Sequence, residues 1–140
     1  MTITYAIENG ISPDEFVDVL ERSGLAERRP VQDAQVIRGM VENASLTVTA
    51  RNADGRLVGV ARSVTDFAYC CYLSDLAVDK ACQNQGIGKE LMRRTKEAAG
   101  GDKVSLLLLS APAGMGYYPK AGLEKFDNCF GVRRKSGKTQ

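Results

Sequence analysis

The spacing of apolar side chains changes along this chain, and each change marks an expected element. Thr2 to Ile7 reads as a short first strand. Ser12-Pro13-Asp14-Glu15 is a helix start: the serine can cap, proline suits the first turn, and the glutamate completes a capping box. Phe16, Val17, Val19 and Leu20 then form a buried face, and Gly24 supplies the stop. Leu25 to Pro30, with Arg28 and Arg29, reads as an exposed connection. Ala34, Ile37, Met40, Val41 and Ala44 recur at helical spacing and predict a second helix. Leu46–Ala50 and Leu57–Ala61 read as strands. Asn52-Ala53-Asp54-Gly55 between them is turn chemistry, so the pair predicts a hairpin. After a turn at Asp66, Phe67 to Val78 predicts a long central strand. From Gly86 to Ala99 the period is helical again, with Leu91, Met92, Thr95, Ala98 and Ala99 on one face and Gly100-Gly101-Asp102 as the end. Val104–Leu109 is nearly continuous in apolar residues, as expected of a strand covered on both faces. Phe130-Gly131-Val132 predicts a final edge strand, free to pair across a homodimer. Lys135 to Gln140 reads as a polar tail.

Length and composition narrow the class. At 140 residues the chain suits one α/β domain, taken as 1–134, with no internal repeat or linker. Its 44% hydrophobic and 26% charged content is ordinary for a soluble globular protein. No apolar run reaches the roughly 18 residues of a membrane span, and the first residues lack a signal-peptide pattern. A cytoplasmic protein without a membrane partner is expected. A net charge of +2 is too small to argue for nucleic acid. Its distribution is uneven, at −3 over residues 1–70 and +5 over residues 71–140, which suits a polyanionic ligand near the second half. Arg133, Arg134, Lys135 and Lys138 lack interleaved aromatics, so no nucleic-acid partner is expected. Cys70, Cys71, Cys82 and Cys129 have no zinc-like spacing. They read as buried free thiols, Cys70 and Cys71 facing opposite ways along a strand, and no metal is expected. There is no histidine, so the usual base at neutral pH is missing.

Candidate chemistry concentrates between Asp75 and Leu91. Gln83-Asn84-Gln85-Gly86-Ile87-Gly88 joins a strand to a helix. Two glycines one residue apart leave backbone amides uncovered at a helix N-terminus, where the dipole adds positive charge. That arrangement suits a phosphate or pyrophosphate. A glycine turn of this kind also occurs with no ligand. A dinucleotide fingerprint wants a third glycine where Leu91 stands, and a Walker loop wants serine or threonine where Glu90 follows Lys89.

The same stretch resembles the acyl-coenzyme A motif of the GNAT N-acetyltransferase superfamily, Gln/Arg-x-x-Gly-x-Gly/Ala, filled by Gln83, Gly86 and Gly88. Leu76-Ala77-Val78 before it and Leu91-Met92 after it match as well. A second motif agrees: Tyr117-Tyr118-Pro119-Lys120-Ala121-Gly122-Leu123 resembles the family's short helix ending in Tyr-x-x-x-Gly-Phe, with Tyr118 in the tyrosine position and Leu123 in place of phenylalanine. The likeness is good over residues 57–126. It implies a GNAT fold: a mixed, mostly antiparallel sheet of about six or seven strands with about four helices. It implies acetyl transfer from acetyl-CoA to a primary amine of a small molecule. Non-catalytic acyl-CoA binding and acetylation of a protein or peptide amino group are the alternatives. By resemblance, coenzyme A lies between the Leu76 strand and the Leu107 strand. The amides of Gln83, Asn84, Gln85, Gly86, Ile87, Gly88 and Lys89 take the pyrophosphate, and the backbone of Leu76, Ala77 and Val78 pairs with the pantetheine arm. Tyr118 contacts the cofactor and acts as general acid, with Tyr117 as its substitute. Ser110 stands where many members carry an asparagine that bonds the cofactor arm. Asp75 could act as base directly or through water, or be structural. Tyr72 sits near where some members carry a glutamate. Arg28, Arg29 or Arg38 could meet an acidic acceptor, although a solvated surface role is the simpler reading for each.

Overall fold

The computed structural model describes residues 2–135. Five strands form one sheet in sequence order: β1 (Thr4–Ile7), β2 (Leu46–Arg51), β3 (Leu57–Thr65), β4 (Cys70–Val78) and β5 (Ser105–Leu107). Neighbours are antiparallel except β4 and β5, which run parallel. Helices α1 (Pro13–Ser23) and α2 (Ala34–Glu42) follow β1, α3 (Ile87–Ala99) links β4 to β5, and the short α4 (Tyr117–Lys120) comes last.

Local chemistry sets these boundaries. The Ser12 hydroxyl accepts the Glu15 amide at 3.1 Å, and Gly24 closes α1 at φ 87°, its amide donating to Glu21. Asp33 caps α2 by accepting the amides of Gln35 and Val36. In the β2–β3 hairpin the Asn52 side chain accepts the amides of Asp54 and Arg56. The Asp66 carboxylate gathers the amides of Ala68, Tyr69 and Cys70 into a turn. That turn, with Phe67 at φ 58°, makes β4 begin at Cys70 rather than at Phe67.

The sheet separates two cores. Leu46, Val48, Ala61, Leu73, Leu91 and Met92 pack on the α3 side; Phe16, Leu20, Ile37, Val41, Val60 and Ala77 pack on the α1–α2 side. Gly59 lets α3 come close: a β-carbon there would stand 3.0 Å from Leu91 and 3.2 Å from Ile87. A bulge in β4 decides which side chains face which core. Arg62 pairs with Asp75 and Ser63 with Leu73, so Ser74 is the extra residue. Before it Cys71 and Leu73 face α3; after it Leu76 and Val78 do, while Ala77 turns to the α1–α2 core.

Several expectations are corrected. The described sheet has five strands, not six or seven. Phe130–Val132 is irregular and almost fully exposed, which removes the edge strand on which a homodimer was expected. The Val104–Leu109 run pairs only over Ser105–Leu107. Leu107 and Leu109 stay 41% and 49% exposed, because β5 is the edge of the described sheet and is not covered on both faces. Cys71 and Cys82 are buried thiols, but Cys70 and Cys129 are exposed; all four are free. The connection after α1 is a 3-10 turn, Leu25–Arg28, and the next residue, Arg29, is buried. Ser136 onward, most of the expected tail, lies outside the described residues.

Candidate functional site

Pairing between β4 and β5 ends at Tyr72 and Leu107, and beyond that point the edge of β4 away from β3 runs on to Val78 with no partner strand among the described residues. The gap is a cleft of about 920 Å³. Leu76, Ala77 and Val78 line one side, and Gln83, Asn84, Gly86, Ile87, Gly88 and Lys89 the loop end. Tyr117 and Tyr118 close it from α4. Gln85 is exposed and does not line the cleft. Ser110 lines a neighbouring cavity instead, and its hydroxyl donates to the adjacent Ala111 carbonyl at 2.7 Å.

The glycine loop is braced at both ends. The Asp79 amide donates to Val58, and its carboxylate accepts the Ala81 amide at 2.9 Å and the Arg22 guanidinium at 2.6 Å. Gln83 reaches back to donate to the Val78 carbonyl at 3.1 Å, so its side chain holds the loop against the strand. Asn84 and Gly86 take left-handed conformations, at φ 65° and 81°, and turn the chain into α3. Gly86 caps α3 without a side chain, and the first helical bond runs from the Glu90 amide to the Gly86 carbonyl. The amides just before Glu90 thus have no carbonyl a turn behind them and suit an anion. The Tyr117 hydroxyl lies against Gly88, 2.8 Å from where a β-carbon would stand.

Tyr118 is half-buried. Its ring lies 2.9 Å from the β-carbon position of Gly114 and meets Tyr117 edge-on, centroids 5.3 Å apart at 74°. Burial pushes its phenol above the usual value, with Tyr117 adding to the rise and the Arg29 charge opposing it. The group therefore holds its proton at neutral pH.

Asp75 is sealed. It has no exposed surface, and its two carboxylate oxygens accept from Nε of Arg29 and Nε of Arg62. Arg29 also donates to the Ser74 carbonyl at 2.8 Å, and Arg62 to the Ser74 hydroxyl at 2.9 Å and the Met40 carbonyl at 3.1 Å. This network stitches the turn after α1 and the end of α2 to the β4 bulge. Asp75 does not line the cleft, so no amine there reaches it directly. Beside it, burial pushes the Tyr72 phenol up, with Arg29 opposing and Asp75 adding to the rise. Sequence reasoning missed Arg29 and Arg62 as partners of Asp75. The available signal was an arginine and an aspartate at inward positions of neighbouring apolar strands.

The acetyltransferase (GNAT) family model matches residues 12–122. The chain belongs to the GNAT acetyltransferase family. By sequence it matches no curated protein. Among solved structures, it resembles a GNAT-family acetyltransferase from Streptococcus pneumoniae at 21% identity and TM-score 0.71, covering 94% of this chain and 96% of that one. The Escherichia coli GNAT N-acetyltransferase YhbS, in complex with CoA, matches at 19% identity and TM-score 0.67, over 87% of this chain and 68% of that one. An aminoglycoside acetyltransferase from an uncultured soil sample, in complex with sisomicin, matches at 19% identity and TM-score 0.63, over 95% and 96%. At these identities the likeness shows the fold. Among the described residues of this GNAT domain, no helix is long and apolar enough to cross a membrane.

Proposed function

We propose that this GNAT protein transfers the acetyl group of acetyl-CoA directly to a primary amine of a small molecule. The observation that carries the reading is the unpaired β4 edge, which runs between a glycine-capped helix start and a proton-bearing phenol. Bound acetyl-CoA supplies an acetyl group already activated as a thioester. The chain's own groups fit that molecule. The backbone of Leu76 to Val78 offers an extended arm a strand to pair with, and the amides around Gly86–Lys89 offer a diphosphate its donors. Holding the donor there makes the transfer effectively unimolecular.

As the acceptor nitrogen forms its bond to the carbonyl carbon, the carbon–sulfur bond breaks. The Tyr118 hydroxyl gives its proton to the departing thiolate, and the amine's surplus proton passes to water. We assign no base role to Asp75, whose oxygens are committed to two guanidiniums; it positions the bulge instead. Four free cysteines suit a reducing, cytoplasmic setting.

A thermal-shift series with acetyl-CoA, CoA and NAD tests the reading. A ligand held only by the folded state stabilises it by about 2.7 kcal/mol at a hundredfold excess over its dissociation constant. Both CoA forms are expected to raise Tm, and NAD is not. Absence of a shift with saturating acetyl-CoA would sink the assignment.

A further inference from the structure

One wall of the cleft, running from Gly24 beside Lys80 to Arg29 on the β4 bulge, carries a cation the acetyl donor does not explain. Ser23 to Leu25 and Glu27 to Arg29 line that wall. Arg29 is paired with Asp75, a carboxylate it shares with Arg62. Arg28 is not: among the described residues it has no carboxylate partner, and its Nε is shut off from water with no hydrogen-bond acceptor. A guanidinium that lines a cleft without a carboxylate partner is open to an anion that enters it.

Position says which ligand that is. Arg28 precedes the residue that grips the β4 bulge through the Ser74 carbonyl, away from Val78 where the glycine loop is held, and Tyr72 beside the bulge lines one cavity with Tyr118. The Arg28 wall therefore belongs to the reacting end of the cleft. The glycine loop at the other end has its own cations, Lys80 and Lys89, on either side of it in the chain. Glu27 is the single acidic residue among the described lining. A polycationic amine would meet net positive charge on entry, whereas an amine that also carries an acid would be drawn in.

We propose that Arg28 is a specificity-determining residue that binds a carboxylate of the acceptor, so that the substrate is a small amine bearing a carboxylate. This rests on the acetyl-transfer reading above. A planar guanidinium matches a carboxylate with two parallel donors, which fixes orientation as well as charge. Held at one end, the acceptor presents its amine to the acetyl carbon near Tyr118.

The experiment compares amino acids with their carboxamide counterparts as acceptors for the full chain, following thioester consumption. The carboxylates are expected to show kcat/KM about tenfold or more above the amides, chiefly through KM. In Arg28→Gln that ratio falls toward one, Arg28→Lys keeps part of it, and the Tm rise with acetyl-CoA is retained in both. Equal use of acids and amides by the unaltered protein overturns the Arg28 assignment and leaves acetyl transfer standing. So does an Arg28→Gln variant that loses the acetyl-CoA shift, which would give Arg28 to the cofactor. No turnover with any amine, together with no acetyl-CoA shift, overturns the underlying reading and this one with it.

Discussion

A phenol shielded from water gives up its proton less readily, and at Tyr118 that shielding suits the donor role proposed for it. Replacing it by phenylalanine keeps the ring against Gly114 and removes only the hydroxyl. Tyr118→Phe is expected to lower kcat by about 100-fold or more, the lower end for a lost general acid, with the acetyl-CoA thermal shift intact. Unchanged turnover in steady-state assays would assign the proton to another donor. The place of Tyr118 at the cleft was legible through the motif it shares, by resemblance, with the GNAT family. Asp75 was legible only as an acid one residue before Leu76-Ala77-Val78. Its burial depends on Arg29, which comes from a loop far away in sequence and resembles a solvated surface arginine until the fold brings it in. Ser110 shows a third case, since its neighbour's carbonyl engages its hydroxyl and no sequence pattern announces that.

At the scale of elements, the Asp75 network joins α1's trailing turn, α2 and β3 to the bulge of β4. Two buried guanidiniums around one carboxylate are stable only as a set, because each charge left alone has lost its water. Asp75→Ala is therefore expected to destabilise the domain by about 3–5 kcal/mol in urea denaturation. A loss below about 1 kcal/mol would show that water or a neighbour replaces the carboxylate. Helix starts, the hairpin and the glycine loop were readable because serine, asparagine and glycine impose their conformations locally. The bulge was not. Strict alternation along β4 assigns Leu73 and Asp75 to one face, and only pairing with β3 shows that Ser74 resets the alternation. The apolar Val104–Leu109 run misled for a related reason. Hydrophobicity records what could be covered, while coverage depends on which elements the rest of the chain supplies.

For the whole molecule, titration should leave a broad plateau of stability. Burial raises the phenols of Tyr5, Tyr72, Tyr117 and Tyr118. The unfolded chain then releases these protons first, so stability is full below the ordinary phenol value near pH 10 and falls as pH rises through the folded values. At the acid end the Arg51 hydrogen bond holds Glu8 below its usual value, with Thr49 helping and burial opposing. Its contribution is present above the ordinary glutamate value and is lost as pH falls through the lowered one. Melting temperatures between about pH 2 and pH 11 should show both limbs, the acid one below about pH 4. An alkaline decline beginning below about pH 9 would contradict the burial of these phenols. The order of strands and helices was readable as far as β5, since each hydrophobic period is a local property. That no described strand follows β5 was not, because pairing depends on partners that sequence periodicity does not name.

The contact between Tyr117 and Gly88 ties two distant parts of the chain into one choice. Any side chain at position 88 must displace the phenol, and any smaller residue at 117 opens room at 88. Their substitutions are therefore coupled, and neither effect can be inferred from the other position held fixed. In a lineage of such sequences the glycine loop and the α4 tyrosine would drift together, each acting as the other's memory of what has already changed.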